Sequence, residues 1–263
     1  MRKIFLAAGM AGLISLGIAG SAPAADETVV EPPQQAWTFA GVFGTFDRAS
    51  AQRGFQVYHD VCAKCHSMDL LSYRNLEELG LSADQVKAIA AGDQVMDRDD
   101  RGMPIIDDSG KVVMRPGRPS DRFAPPDKAV TSALLPAIPP DLSLIVHARE
   151  DGENYVFALL AKGYVTPPDG WDPAANYNAF FPGHRIAMPQ PLAENAVSYA
   201  DGTVATLDQE ARDLVNFLEW AADPNLEERH RTGLKVILFL VVLTLVLYAA
   251  KRRIWSDLHK DEH

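Results

Sequence analysis

The sequence has few cysteines and no excess of basic residues, and these two shortages exclude several classes of protein. Two cysteines among 263 residues cannot form the disulfide network that holds many small secreted domains together. Lysine and arginine number 25 against 35 aspartate and glutamate, a net charge of −10, whereas a nucleic-acid-binding protein normally has a basic surface. The nucleotide-binding patterns GxGxxG and GxxxxGK[ST] and the metalloprotease pattern HExxH are also missing. We therefore expect no nucleic-acid partner.

The N-terminus has the layout of a secretory signal peptide. Arg2 and Lys3 precede an apolar run that continues to about Gly20, and an Ala-x-Ala site follows at Ala22 and Ala24. An uncleaved membrane anchor is the alternative. We predict that residues 1–24 are a cleaved signal peptide and that the mature chain lies outside the cytoplasm.

A second apolar run, near the C-terminus, is long enough to cross a bilayer. It extends from Gly233 to Ala250 and is followed directly by Lys251, Arg252 and Arg253. Because basic residues collect on the cytoplasmic side, residues 251–263 should form a cytoplasmic tail. The prediction is a transmembrane anchor over 231–250 and an exported domain over 25–230, on the periplasmic side of a bacterial-type inner membrane. A buried core helix is the alternative.

The negative charge belongs to the exported domain. The first 24 residues hold two basic residues, and the segment from residue 231 holds six basic and three acidic ones. Seventeen basic and 32 acidic residues remain between them, a net charge of −15. Such a charge either keeps the domain soluble or attracts a cationic partner.

The exported domain is predicted to be mostly α-helical with long loops. Helices are expected over 48–62, from the capping box at Ser82 to Gly92, over 152–162, and from the capping box at Thr206 to Asp223. Residues 93–141 and 164–205 are rich in Pro, Gly and Asp and are predicted to be loops. Gly54 should let the first helix approach the last soluble one closely. A domain with few helices has difficulty burying enough apolar surface by itself. A large cofactor in its centre would provide the missing burial.

Both cysteines belong to one motif, Cys62-Ala63-Lys64-Cys65-His66. CxxCH is the attachment motif of c-type haem, in which two thioethers hold the ring and the histidine binds iron. A redox dithiol or half of a zinc site are the alternatives. The histidine directly after the second cysteine, the lack of a second cysteine pair and the predicted export all favour one covalent haem c.

The ligand on the other face of the iron is open from the residues alone. Met188 is the first candidate because prolines flank it and fix the loop backbone. Met103, which precedes a proline, is the second candidate, and His184 would give iron with two histidine ligands. Core packing is the alternative role for each methionine.

Several further motifs, in this order along the chain, resemble the cytochrome c1 family, the haem subunit of the cytochrome bc1 (ubiquinol–cytochrome c reductase) complex. The resemblance covers about residues 44–258. It rests on these segments: Arg53 to Tyr58 leading into the CxxCH motif, Met114 to Gly117, Pro139 to Ser143, Tyr155 to Phe157, Phe181 to Met188, Asp201 to Thr203, and the C-terminal anchor with Trp255.

The resemblance implies a cytochrome c-like haem domain with His66 and Met188 as axial ligands. It also implies that Arg149 lies near a haem propionate and that Tyr155, Pro139 and Pro140 pack against the haem. The extra cysteine pair that some members carry is missing here, so packing must hold the loops.

By resemblance, the chain is an electron-transfer subunit without catalytic residues of its own. It would work beside a cytochrome b subunit, take electrons from a Rieske iron–sulfur protein and pass them to a soluble cationic c-type cytochrome. A freestanding anchored cytochrome c that serves a terminal oxidase is one alternative, and a ligand-binding haem sensor or enzyme is another.

Overall fold

The computed structural model describes residues 30–124 and 137–258, and the predicted signal peptide lies outside them. Helices are α1 Arg48–Asp60, α2 Ala83–Gly92, α3 Gly152–Ala161, α4 Leu207–Ala222 and α5 Leu226–Leu258, with 3₁₀ helices at Cys62–Lys64 and Tyr73–Leu79. Strands β1 Gln94–Met96 and β2 Met114–Pro116 form one antiparallel pair, and β3 Asn176–Tyr177 and β4 Arg185–Ile186 form another. The prediction of a mostly α-helical chain is confirmed, and its C-terminal helix is long and apolar enough to span a membrane.

Side-chain caps explain where two of the predicted helices begin. Ser82 accepts a hydrogen bond from the Gln85 backbone N–H, and the Gln85 side chain accepts one from the Ser82 backbone, so the capping box is complete. Thr206 caps α4 by accepting from the Gln209 N–H. The Gln209 side chain instead donates to Asp213 at 3.0 Å, so the second predicted box is only half formed.

Helices α1 and α4 cross at the centre of the core. A Cβ atom on Gly54 would lie 2.0 Å from the backbone oxygen of Asp213, so only glycine allows this contact. Beside it, Arg53 Nε donates to the fully buried Asp213 carboxylate at 2.8 Å. The predicted close approach at Gly54 is confirmed.

The two long loops are less irregular than predicted. Residues 93–141 include the β1–β2 pair, in which Val95 lies opposite Arg115. Residues 164–205 include the β3–β4 pair, which places Asn176 opposite Ile186. The 3₁₀ helix at Tyr73–Leu79 was not predicted either. Helix α1 ends at Asp60, two residues before the predicted end, and a separate 3₁₀ turn contains Cys62.

Helix α5 has the properties of a membrane span. An 18-residue window within Leu226–Ser256 reaches a mean hydropathy of 2.5, and no residue of that window is buried against the rest of the protein. Three residues separate α4 from α5. In addition, Glu227 in the first turn of α5 accepts hydrogen bonds from the Phe46 backbone N–H at 2.9 Å and from the Arg48 guanidinium at 3.0 and 3.1 Å. The helix is therefore tied directly to the haem domain predicted from the sequence.

Candidate haem-binding site

The CxxCH segment forms a tight turn after α1. The backbone N–H groups of Cys65 and His66 both donate to the Cys62 carbonyl, at 3.0 and 2.9 Å. The two cysteines are partly buried and are not disulfide-bonded. Burial, with the neighbouring Cys65, raises the pKa of the Cys62 thiol to about 12.

A zinc site would need further ligands beside the two cysteines. Across residues 30–124 and 137–258, no group of three His, Cys, Asp or Glu side chains is placed to hold a metal ion. The described residues therefore supply no complete zinc site around the cysteine pair.

His66 is oriented through Nδ1, the ring nitrogen that stays free when Nε2 binds a metal. Its Nδ1 lies 2.8 Å from the carbonyl oxygen of Pro140. Since a carbonyl only accepts, Nδ1 carries the proton and Nε2 has a free lone pair. Burial lowers the pKa of His66, although the Pro140 carbonyl and the Asp141 charge oppose this. The ring is thus held neutral in the tautomer that suits an Nε2 ligand.

Asp141 fixes the segment that holds the histidine. Its carboxylate accepts from the Ser67 hydroxyl at 2.7 Å, the Asp69 N–H at 2.7 Å and the Ser143 N–H at 2.9 Å. Burial raises the pKa of Asp141, but the hydrogen bonds from Ser143, Asp69 and Ser67 outweigh burial and bring it below its ordinary value. The carboxylate therefore fastens the Pro140 segment to the residues that follow His66.

Met188 is held through its main chain. The Tyr164 hydroxyl donates to the Met188 carbonyl at 3.0 Å and lies 3.4 Å from the Pro189 carbonyl. One residue earlier, Asn176 Nδ2 donates to the Ala187 carbonyl at 3.3 Å. The Met188 side chain is partly buried against the hydrophobic core. These bonds fix the backbone and leave the thioether sulfur available.

Asn178 connects the loop that ends at Met188 to helix α3. It is fully buried, its Nδ2 donates to the Leu159 carbonyl at 2.8 Å, and its backbone N–H donates to the His184 carbonyl at 2.9 Å. A Cβ atom on Gly163 would lie 2.1 Å from the Asn178 side chain. The loop that ends at Met188 is therefore packed tightly onto the end of α3.

The two other candidates for the distal ligand are placed differently. Met103 is 62% exposed, in the loop between β1 and β2. His184 has a left-handed backbone (φ 59°), its Nδ1 lies 3.3 Å from the Asn178 carbonyl, and its ring lies against Tyr177. The Met188 side chain packs against the core that Cys62 also contacts.

The remaining predicted residues form two groups. Pro139 is half-buried and Pro140 is exposed, beside His66. Arg149 is exposed, donates to the Ala148 carbonyl at 2.9 Å and contacts the half-buried Tyr155 phenol. Burial raises the pKa of Tyr155, and Arg149 partly opposes that rise. Tyr155 packs against the same core as Cys62 and Met188.

Sequence reasoning missed two residues that position the site. Asp141 was included in the Pro-Pro-Asp motif without a role, and Tyr164 was assigned to a loop. Two prolines before a carboxylate could have suggested a fixed turn that holds a neighbouring segment. A tyrosine at the start of a loop gives no comparable signal.

Comparison with known proteins decides the family. Residues 37–258 match the Cytochrome C1 family. The chain belongs to the cytochrome c1 family. It is 42% identical to cytochrome c1 of Rhodospirillum rubrum over 98% of this chain and 97% of the relative. It is 45% identical to the mitochondrial heme protein cytochrome c1 1 of Arabidopsis thaliana, over 96% and 81%.

A third cytochrome c1 relative is a longer protein. The cytochrome b/c1 of Bradyrhizobium diazoefficiens is 39% identical over 95% of this chain but 39% of its own length. Membership of the cytochrome c1 family implies a haem cofactor. The residues fit one, since the free cysteine pair, the Nε2 atom of His66 and the half-buried Met188 are side chains that could hold it.

Proposed function

We propose that the chain is a membrane-anchored c-type cytochrome of a ubiquinol–cytochrome c reductase complex. Cys62 and Cys65 attach one haem covalently, and His66 and Met188 are its axial ligands. The observation that carries the proposal is a pair of hydrogen bonds to main-chain carbonyls, one at each proposed ligand. Pro140 orients His66, and Tyr164 fixes Met188, without using either ligand atom.

The bound haem supplies a one-electron couple, Fe(III)/Fe(II). The protein's part is to keep both ligands in place in either oxidation state, which the Pro140 and Tyr164 hydrogen bonds do. A methionine ligand raises the potential and leaves no open position for a small molecule, which disfavours a haem sensor. Arg149, next to Tyr155, supplies positive charge for a haem carboxylate.

The proposed electron path runs from a Rieske iron–sulfur protein through this chain to a soluble cationic c-type cytochrome. A cytochrome b subunit is the proposed membrane partner. Relatives named cytochrome b/c1 and cytochrome b-c1 complex catalytic subunit support that assembly. A freestanding shuttle usually has a long flexible linker, whereas three residues join α4 to α5 here and Glu227 ties α5 to the domain.

The proposed location is a bacterial-type inner membrane, with the haem domain on the periplasmic side. The basic residues Lys251, Arg252 and Arg253 at the end of the apolar run support a cytoplasmic C-terminus. A signal peptide over 1–24 would direct the domain across the membrane.

Purification from gently solubilised membranes tests the assignment. An affinity-tagged full-length chain should co-purify with a protein that carries b-type haem and with an iron–sulfur protein. A tagged Met103→Leu chain, changed at an exposed loop residue, should retain both partners. Purification of the chain alone, or with a terminal oxidase, would contradict the proposal and favour the freestanding cytochrome.

A further inference from the structure

Two large apolar side chains near the N-terminal end of α1 are unusually exposed. Val42 is 69% and Phe43 80% exposed, although Trp37, Phe39 and Phe46 in the same stretch are buried. The stretch therefore has a base, formed by the buried residues Trp37, Phe39 and Phe46, and an exposed apolar tip. We call this exposed part the Val42–Phe43 tip. Water contact over two adjacent apolar side chains is unfavourable unless another surface covers them.

The backbone holds this tip in one shape. The Thr45 N–H donates to the Thr38 carbonyl at 2.9 Å, and the Gly44 N–H donates to the Gly41 carbonyl at 3.1 Å. Gly41 has φ +78°, and a Cβ atom on Gly44 would lie 1.9 Å from the Phe39 carbonyl oxygen. Both glycines are thus required by the turn, and the turn projects the tip away from the core.

The base of the tip is tied to the start of the membrane helix. Phe46 donates its N–H to Glu227, the second residue of α5, at 2.9 Å. The apolar run begins at Gly233, six residues and about 9 Å further along the helix. Phe43 lies three residues from Phe46, so the two backbones are at most about 10 Å apart, and closer where the chain turns. The base of the tip therefore lies at the start of α5, on the side from which α5 would enter the bilayer.

We propose that Val42 and Phe43 insert into the interfacial region of the lipid bilayer as a second membrane contact beside α5. Aromatic side chains are favoured at this depth. Lipid fits better than a protein partner because a specific protein interface needs about 800 Å² from each side, far more than two side chains offer. An interfacial anchor instead gains from each apolar residue that is added. With α5, this second contact would limit the tilt of the haem domain.

Spin labelling of the full-length chain in lipid nanodiscs tests this inference. If the proposed haem attachment uses both native thiols, a nitroxide on Phe43→Cys is attached to the one free thiol of the chain. The matched control is Ile106→Cys, since Ile106 is 61% exposed but is followed by Asp107 and Asp108, which favour water. The parent chain should take no label, and labelling of the parent would count against haem attachment rather than against the tip.

The readout is collision of the label with oxygen, which concentrates in lipid, and with a water-soluble nickel chelate. We expect the oxygen-to-nickel collision ratio to be several-fold higher at position 43 than at position 106. Equal ratios would overturn the proposal. A label that contacts water in the nanodisc but becomes protected in the purified multi-subunit complex would also overturn it, and would assign the tip to a protein partner.

Discussion

Met188 is the residue on which the proposed redox role depends most. Met188→Leu keeps the side-chain volume but removes the sulfur, so the Met–iron charge-transfer band should disappear. The reduction potential should fall by more than about 60 mV, a tenfold change in a one-electron equilibrium. Redox titration with visible spectra measures both. Met103→Leu, at a 62% exposed site, should change neither, and the reverse pattern would assign the ligand to Met103.

Tyr164 should act on the ligand through the backbone. Tyr164→Phe keeps the ring but removes the donor to the Met188 carbonyl, a hydrogen bond of about 1 kcal/mol. Opening of the loop should become about fivefold easier, so added imidazole should displace the methionine at about one fifth of the concentration. Tyr177→Phe is the control, because the Tyr177 ring packs against Trp171 and His184. Equal imidazole affinities in both variants would show that Tyr164 has no positioning role.

Among the secondary-structure elements, the crossing of α1 and α4 is the most sensitive to a small change. Gly54→Ala gains about 1 kcal/mol in helix propensity, but its Cβ would lie 2.0 Å from the Asp213 oxygen and 2.7 Å from Phe217 Cβ. The helices must separate, so we expect a net loss of about 1–3 kcal/mol in the free energy of unfolding. Denaturant unfolding measures it.

The matched control for this variant is Gly92→Ala, at the end of α2, where a Cβ atom would meet nothing within 4 Å. It should leave stability unchanged or slightly raised. A Gly54→Ala chain that is as stable as Gly92→Ala would mean that the crossing can adjust without cost.

How much of each element was predictable depends on how local its interactions are. The start of α2 was predicted because its capping bonds join Ser82 and Gln85, three residues apart. The β3–β4 pair was not, because two strands of two residues each leave no alternating pattern. The same contrast holds at the site. Cys62, Cys65 and His66 form one contiguous motif, whereas the Tyr164–Met188 bond joins two loops 24 residues apart.

For the molecule as a whole, the net charge of −15 on residues 25–230 should speed encounters with a cationic partner. Charge attraction is screened over about 30 Å at 0.01 M salt but about 3 Å at 1 M. Electron transfer to a soluble cationic cytochrome should therefore slow at least tenfold between these salt concentrations. Stopped-flow oxidation of the reduced chain measures the rate.

Transfer from an iron–sulfur subunit held in the same complex is the control for this experiment and should change little with salt. If the electron-transfer rate to the cationic acceptor does not change with salt, the negative charge serves solubility rather than docking.

The α1–α4 crossing also has a consequence for the order of events during synthesis. Arg53 and Asp213 are in contact but lie 160 positions apart, so α1 cannot dock onto α4 until nearly the whole domain has been synthesised. Helix α5 follows α4 after three residues, so the domain closes just as α5 is being made. Until then α1, which leads into the CxxCH turn, lacks the helix that packs against it. In a haem-free chain stalled before Thr206, Cys62 should react rapidly with a thiol reagent, whereas the haem-free full-length chain should protect it. Equal reactivity in the two chains would show that the turn becomes covered without α4.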